Sequence, residues 1–182
     1  MRFYLLTLIF IVSIHGIVAQ KFYTDKGITK FDGSKAAFEP IKASNNKTVS
    51  IINSATGEIA ALIRISEFDF RLGLMQEHFN ENYLESNVYP KSTFEGQIKN
   101  FSLEELNQDF KEYEIEGVLT IKGVINDIIT KAKIRKIDEK IELSSGFSVM
   151  LSDYKIKIPK IVFKKIDEEV KINLNFVYER KQ

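Results

Sequence analysis

Cysteine is absent from this chain of 182 residues, so it has no disulfide and no thiolate that could bind a metal or act as a nucleophile. Histidine is almost as scarce, with only His15 and His78. The nine glycines are scattered and form no phosphate-binding loop, and no Gly-x-Ser-x-Gly motif is present. These absences predict a protein that is not an enzyme and that uses no cofactor and no metal.

An excess of charge of either sign is also lacking. The formal net charge is +1, and the first twenty residues contain one basic residue, Arg2, and no acidic one. The rest of the chain is therefore balanced between basic and acidic side chains. Without a basic field, nucleic acid is not an expected partner.

Long apolar runs are missing everywhere except at the start of the chain. The run from Phe3 to Val18 follows a basic residue and is shorter than the ~20 residues that a spanning helix needs. We therefore predict a secretory signal peptide at residues 1–20, cleaved near Ala19 or Gln20, and one domain at residues 21–182. An exported chain without cysteine favours a bacterial periplasmic or secreted protein, with no spanning segment after cleavage. An uncleaved membrane anchor is the alternative.

Three runs in the C-terminal half alternate between apolar and polar residues, which is typical of strands with one buried and one solvated face. These runs are Tyr113 to Ile121, Ile141 to Leu151 and Val170 to Tyr178. Two further β-rich runs, Thr48 to Asn53 and Glu58 to Ser66, are joined by a short loop that ends in Gly57. This arrangement predicts a hairpin.

The N-terminal part is predicted to form shorter strands, Phe22 to Thr24 and Ile28 to Asp32, separated by a turn at Asp25 to Gly27. The serine-to-glutamate spacing from Ser102 to Glu105 is typical of a capping box. It indicates either a brief turn or an ordinary loop.

The run from Leu72 to Gly96 is the long interruption in this strand pattern. Leu72, Met75 and Phe79 recur at helical spacing, which predicts a helix from Leu72 to Leu84. Pro90 ends the helical region and returns the chain to a strand from Ser92 to Lys99. Many strands with a single helix favour an antiparallel barrel or sandwich over a parallel sheet, which needs a helix after nearly every strand.

Several segments carry a family resemblance. They are Met75-Gln76-Glu77-His78-Phe79, Leu84-Glu85-Ser86, Tyr89 to Gly96, the strand Gly117 to Val124, and Phe147-Ser148-Val149 followed by Asp153 to Ile156. Together they resemble YceI-like proteins, in the same order over most of Lys21 to Tyr178. The resemblance implies a mainly β fold, a lipocalin-like eight-stranded antiparallel β-barrel with one short helix between strands. It also implies that this barrel holds a long apolar lipid, typically an isoprenoid or fatty amide.

An eight-stranded barrel is just wide enough to be filled by its own side chains or to hold one small ligand. Gly117 and Ser145 on the apolar faces leave space, which either a ligand or aromatic side chains from the opposite wall could fill. With the resemblance, the first alternative is the prediction, and the helix would gate one end. The candidate ligand-binding residues are Ile63, Ile65, Phe68, Met75, His78, Phe79, Phe94, Leu119, Ile121, Phe147, Val149, Ile172, Leu174 and Phe176.

Two polar features have alternative interpretations. His78 either contacts a ligand head group or changes charge with pH, or it bonds a neighbouring carbonyl or faces water. The lysines between Lys155 and Lys165 are either a basic rim that attracts anionic lipid or the solvated side of a strand, and the second is the preferred interpretation because Pro159 interrupts the run.

The sequence thus supports an exported lipid carrier, storage or sequestering protein. The alternative is a non-catalytic envelope interaction or stress-response module with a filled barrel and no lumen ligand. An enzyme that modifies a lipid with His78 as base has the least support. YceI-like barrels are often paired, so a homodimer is a further candidate assembly, although no self-complementary stripe in this sequence demands one.

Overall fold

The structure is a computed structural model that describes residues 20–35, 39–160 and 165–181. The predicted signal peptide lies outside these ranges except for Gln20. The described residues form nine strands and one α-helix. The strands are β1 (Lys21–Ser34), β2 (Lys42–Asn53), β3 (Glu58–Arg64), β4 (Asp69–Phe70), β5 (Lys91–Ile98), β6 (Lys111–Ile121), β7 (Val124–Ile137), β8 (Lys140–Met150) and β9 (Ile166–Arg180), and the helix is α1 (Gly73–His78).

Eight of the strands close into an antiparallel barrel. The sheet runs in the order β1-β9-β8-β7-β6-β5-β3-β2, and β1 pairs with β2 to complete the ring. The ninth strand, β4, has two residues and only extends the sheet beside β2. The predicted eight-stranded antiparallel barrel is confirmed. Because the ring is closed, it has no edge strand, which limits edge-to-edge aggregation.

The predicted strands of the C-terminal half lie in the barrel with the expected faces inward. In β8, Ile141 and Leu143 are buried while Lys140 is exposed, and β9 buries Phe176 and Tyr178. The predicted hairpin is β2 and β3, with Gly57 at a φ of +76° in the connecting turn. The alternation of apolar and polar residues predicted these strands correctly because each strand has one solvated face and one buried face.

One strand of the barrel, β7, was not predicted. It presents Ile125 and Ile129 to solvent, so apolar residues occupy both of its faces and hide the alternation. The predicted strand from Gly117 to Val124 instead ends at Ile121. Lys122 and Gly123 both have positive φ and turn the chain into β7, as in the two-residue turns that match the twist of a hairpin.

The predicted turn at Asp25 to Gly27 is wrong. These residues lie within the continuous strand β1, whose register against β2 shifts on both sides of Gly27. Turn-forming residues here produce a bulge rather than a reversal of the chain. A Cβ atom at Gly27 would lie 2.6 Å from the Phe176 ring, so the absence of a side chain lets that ring pack against the strand.

The predicted helix is shorter and less regular than expected. The α-helix ends at His78 and continues as a π-helical turn, Phe79–Tyr83. Glu85, at a φ of +48°, then ends the helical segment, and its carbonyl oxygen accepts hydrogen bonds from the amides of Val88 and Tyr89. Pro90 therefore comes after the helix has already ended, so the prediction that this proline ends the helix is wrong.

One end of the barrel is closed by a packed core. Phe22, Ile52, Ile98, Ile134 and Tyr178 are fully buried there. The loop between β5 and β6 covers this end with the side chains of residues 101, 103 and 106, and it contains the brief 3-10 turn that the sequence indicated. No side-chain cap bond accompanies that turn, so the capping-box interpretation is wrong. The barrel is thus sealed at one end.

Candidate functional site

The other half of the barrel contains a cavity of about 500 Å³. Its floor is formed by Ile59, Ile115, Leu143 and Phe176, which also belong to the core of the closed end. The volume lies within the range of ~300–1,000 Å³ that is usual for small-molecule sites. The barrel is therefore only half filled by its own side chains.

The cavity opens near α1 and the connections between β1 and β2 and between β8 and β9. Leu72, Leu74 and His78 from the helical segment, Glu39 from the first connection and Lys165 from the second line its mouth. The strand pairings place β3 and β5 on the opposite side of the ring from β8 and β9. The helical segment nevertheless shares an apolar cluster with the β8–β9 connection, through Leu84 on one and Tyr154 and Ile156 on the other.

All fourteen candidate residues line this cavity. They are Ile63, Ile65, Phe68, Met75, His78, Phe79, Phe94, Leu119, Ile121, Phe147, Val149, Ile172, Leu174 and Phe176. Strand alternation brings most of them together, because inward-facing residues on neighbouring strands share one lumen. Their role in binding a ligand stays a prediction.

A cluster of four aromatic rings forms part of the wall, and half of it was missed from the sequence. Phe79 stacks on Phe31 with ring centres 5.3 Å apart, and Phe68 and Phe70 surround them at 5.0 to 5.6 Å. Phe31 and Phe70 were not predicted. Phe31 lies two residues from Thr29 on the inward face of β1, within the predicted strand Ile28 to Asp32, so alternation along that strand could have identified it.

Gly117 and Ser145, the two small residues that were expected to leave space in the lumen, differ in what lies beside them. The ring of Phe94 packs over Gly117, where a Cβ atom would lie 2.7 Å from the ring and 2.4 Å from the carbonyl oxygen of Glu95. Ser145 instead lines the cavity. The ring at the first position comes from the neighbouring strand β5 and not, as the filled-barrel alternative expected, from the opposite wall, while the second position borders open volume.

Two hydroxyl groups in the wall, those of Thr29 and Ser145, are already hydrogen-bonded. Thr29 and Thr48 share a hydrogen bond of 2.8 Å, and Ser145 donates to the carbonyl oxygen of Lys131 at 2.7 Å. Burial raises the pKa values of Tyr83 and Tyr154, and for Tyr154 a hydrogen bond with Asn126 partly opposes that effect. Both phenols stay neutral near pH 7. The inner wall thus suits an apolar ligand.

A model of the YceI-like domain matches residues 18–178. The chain belongs to this family. A YceI-like barrel explains the eight strands, the single helical interruption and the lumen that opens at one end. No curated protein sequence matches the chain.

Solved structures share the fold of this YceI-like chain. A polyisoprenoid binding domain from Saccharophagus degradans, implicated in plant cell wall breakdown, has a TM-score of 0.78 at 13% identity, covering 90% of this chain and 99% of its own. Burkholderia cenocepacia BcnA has a TM-score of 0.68 at 16% identity, with coverages of 82% and 95%. A Campylobacter jejuni YCEI protein has a TM-score of 0.63 at 16% identity, with coverages of 81% and 89%.

His78 lies at the exposed rim of the YceI-like cavity. It is the last residue of α1, and no hydrogen bond joins its ring to another residue within the described ranges. The interpretation in which it bonds a neighbouring carbonyl is therefore not the one observed. Facing water at the mouth is compatible with contact to a ligand head group, which stays a prediction.

The lysine run after β8 is not the solvated side of a strand. Lys155, Lys157 and Lys160 lie in the β8–β9 connection, and Lys155 has a φ of +55°. Between them, the buried side chain of Ile156 lines the cavity. The preferred interpretation of the run is therefore wrong, because the strand ends at Met150 and the lysines border the mouth.

Residues 20–35, 39–160 and 165–181 contain no helix that is long and apolar enough to cross a membrane. The same ranges contain no group of three His, Cys, Asp or Glu side chains arranged to hold a metal ion.

Proposed function

We propose that this YceI-like protein holds a long apolar lipid, of isoprenoid or fatty amide type, in the barrel lumen for transport, storage or sequestration. The observation that carries the proposal is the apolar cavity of about 500 Å³, sealed at one end and open at the other. The similar fold of a polyisoprenoid binding domain supports the choice of ligand class.

The cavity needs no specific polar contact to bind such a ligand. Each methylene group removed from water contributes about 0.8 kcal/mol, so a long tail gains most of its affinity from burial alone. The charged residues that line the cavity, Glu39 and Lys165, lie with His78 on exposed positions at the mouth. The tail would therefore lie in the depth of the lumen, with any polar head group at the entrance.

A non-catalytic interaction module with a filled barrel is the alternative. It requires side chains to occupy the lumen, and the open volume beside Ser145 and Leu174 does not fit that requirement. We also propose that the protein is no enzyme and needs no metal or cofactor, since the hydroxyl groups of Thr29 and Ser145 in the wall are already hydrogen-bonded.

We further propose export to the periplasm or the cell exterior after cleavage near Ala19 or Gln20. N-terminal sequencing of the protein isolated from its own cells tests this: a mature chain that starts near Lys21 supports export, and one that retains Met1 contradicts it.

Native mass spectrometry of the gently purified protein, followed by organic extraction of any bound mass, tests the main proposal. We expect one long-chain lipid for each chain. The apo mass alone, unchanged after incubation with isoprenoids and fatty amides, would contradict the carrier function. The same spectrum shows whether the protein forms a homodimer, as the pairing of other YceI-like barrels suggests.

A matched pair of variants ties the binding to the lumen. Ala61 lines the cavity, while Ala60, its neighbour on β3, does not. Ala61→Phe should lower lipid affinity at least about tenfold, because its ring excludes two or more methylene groups of the tail. Ala60→Phe should bind as the wild type does. Equal affinities for the two variants, measured by titration with a fluorescent isoprenoid analogue, would place the ligand elsewhere.

A further inference from the structure

The mouth of the cavity has an apolar side. Leu72 and Leu74, in the helical segment, line the cavity and are 39% and 63% exposed. Exposed leucines are common singly, but here two of them are continuous with an apolar lumen. The lumen surface thus extends outward onto the rim.

A second part of the mouth is basic. Lys155, Lys157 and Lys160 are exposed in the β8–β9 connection, and the sequence from Lys155 to Lys165 contains five lysines and no acidic residue. Within the described ranges, none of the ion pairs involves these three lysines, whereas many other lysines of the barrel pair with a carboxylate. Their charge is available to a partner.

Carboxylates at this end of the barrel lie outside the stretch from Lys155 to Lys165. Glu39 at the mouth forms an ion pair with Arg71. Glu77 and Asp153 are exposed at the same end, as are Glu168 and Glu169 at the start of β9, so the positive charge is confined to the connection itself. A surface with an apolar side and a basic side binds strongly only where the partner offers both an apolar interior and negative charge.

We propose that this end of the barrel docks on an anionic phospholipid bilayer, with Leu72 and Leu74 inserted at the interface and Lys155, Lys157 and Lys160 on the head groups. The inference rests on the proposed function, because the lumen then meets the bilayer directly and a lipid tail passes between them without crossing water. Passage through water would expose every methylene group of the tail. The continuity of rim and lumen favours a bilayer over a protein partner.

Flotation with vesicles of neutral phosphatidylcholine alone, or with added phosphatidylglycerol, tests the docking. The purified protein should float with the anionic vesicles and lose much of this association at high salt. Leu74→Asp should lower the association at least about tenfold, because a leucine no longer inserts. The control Val88→Asp changes a side chain that is 67% exposed and does not line the cavity, and it should float as the wild type does.

The basic side is tested separately. Lys157→Gln/Lys160→Gln should weaken binding to anionic vesicles about 25-fold, from about fivefold for each lysine near the surface. The control Lys21→Gln/Lys26→Gln removes two exposed charges from β1, away from the mouth, and should have little effect. Equal binding by the wild type and the mouth variants would overturn the proposal. A wild type that binds no vesicles would also overturn it. If Leu74→Asp then turned a dimer into a monomer, the rim would be covered by a second copy of the chain instead.

A transfer assay distinguishes this proposal from the one on which it rests. Lys157 and Lys160 do not line the cavity, so their double variant should retain bound lipid in solution but deliver it to anionic vesicles about 25-fold more slowly than the wild type. Delivery at the wild-type rate would overturn the docking and leave lumen binding intact. A wild-type protein that floats with anionic vesicles but carries no lipid would instead contradict the proposed function alone.

Discussion

Gly117 shows how a single missing side chain sets the volume of the lumen. The ring of Phe94 lies over it, against the paired backbone of Gly96 on the neighbouring strand. A ring in this position is held against the wall and leaves the centre of the barrel open. Gly117 was expected to border a ligand. It instead affects the lumen through the Phe94 ring that it accommodates.

Gly117→Ala should destabilise the barrel by about 1–3 kcal/mol, which is the usual cost of overpacking. The new Cβ atom would lie 2.4 Å from the carbonyl oxygen of Glu95 and 2.7 Å from the Phe94 ring, so the ring must move toward the cavity and lower lipid affinity. Gly146→Ala is the control, because its Cβ atom would meet nothing closer than 3.3 Å. Equal midpoints of urea unfolding for the two variants would contradict this account.

Tyr178 gives the closed end a dependence on alkaline pH. Its side chain is fully buried, and its hydroxyl shares a hydrogen bond of 2.9 Å with Ser50. Burial raises the pKa of Tyr178 above its usual value, and the bond with Ser50 opposes this only partly. In the unfolded chain the phenol ionises near pH ~10, whereas in the barrel it stays neutral.

The free energy of unfolding should therefore be constant with respect to this group below pH ~10 and fall as the pH rises beyond it, because the unfolded state loses the proton first. Tyr178→Phe should remove that part of the decline while lowering stability at pH 7 by about 1 kcal/mol through the lost hydrogen bond. Urea unfolding between pH 7 and 11 measures both effects. A decline of the same size in the variant would assign it to other groups.

At the scale of elements, the helical segment is held over the mouth from two sides. Phe79 stacks into the aromatic cluster with Phe31, and Lys122 in the turn between β6 and β7 forms an ion pair of 2.6 Å with Glu85. Tyr89 lies against Gly123 in the same turn, where a Cβ atom would come within 2.7 Å of its ring. The segment is thus positioned by contacts with two separate hairpins.

Phe79→Ala should loosen this segment and speed the release of a bound lipid about fivefold or more, because it removes ring contacts worth about 0.5–1.5 kcal/mol each. Phe101→Ala is a suitable control, since it removes a ring that packs on Tyr113 at the closed end and does not line the cavity. Both variants should lose stability, but only the first should change the dissociation rate in stopped-flow displacement. Equal rates would contradict a gating role for the segment.

At the scale of the whole molecule, the barrel divides into a packed half and an open half. Ile52, Ile98, Ile134, Ile141 and Tyr178 are completely buried in the first, whereas α1 buries none of its residues. Packing density of this kind resists local opening, and segments with few buried contacts open first. Ligand binding should therefore stabilise the two halves unequally.

Lipid at about 100 times its dissociation constant should raise the melting temperature by roughly 5–10 °C relative to stripped protein. Amide exchange should slow mainly in residues 65–90, which surround the mouth, and change little in residues 113–115 and 141–143 at the closed end. Mass spectrometry of peptides after exchange checks this distribution. Uniform slowing along the chain would indicate that the ligand acts only through global stability.

Strands could be predicted from the sequence wherever one face is apolar and the other polar, and so could the class of fold. The sequence also identified residues that share the lumen, such as Leu119, Phe147 and Ile172, since the side-chain period of a strand is two. It failed at β7, where Ile125 and Ile129 face water, and at the bulge beside Gly27. Local alternation carries no information about either exception.

Whether the barrel is filled depends on tertiary packing and could not be predicted from the sequence. Ser145 and Gly117 are both small residues on inward faces, yet one borders open volume and the other lies beneath a ring from a different strand. The placement of Lys155 to Lys160 at the mouth also depends on how β8 ends and where β9 begins. These outcomes are set by contacts between residues far apart in the chain, because free volume is what remains after all the strands have packed.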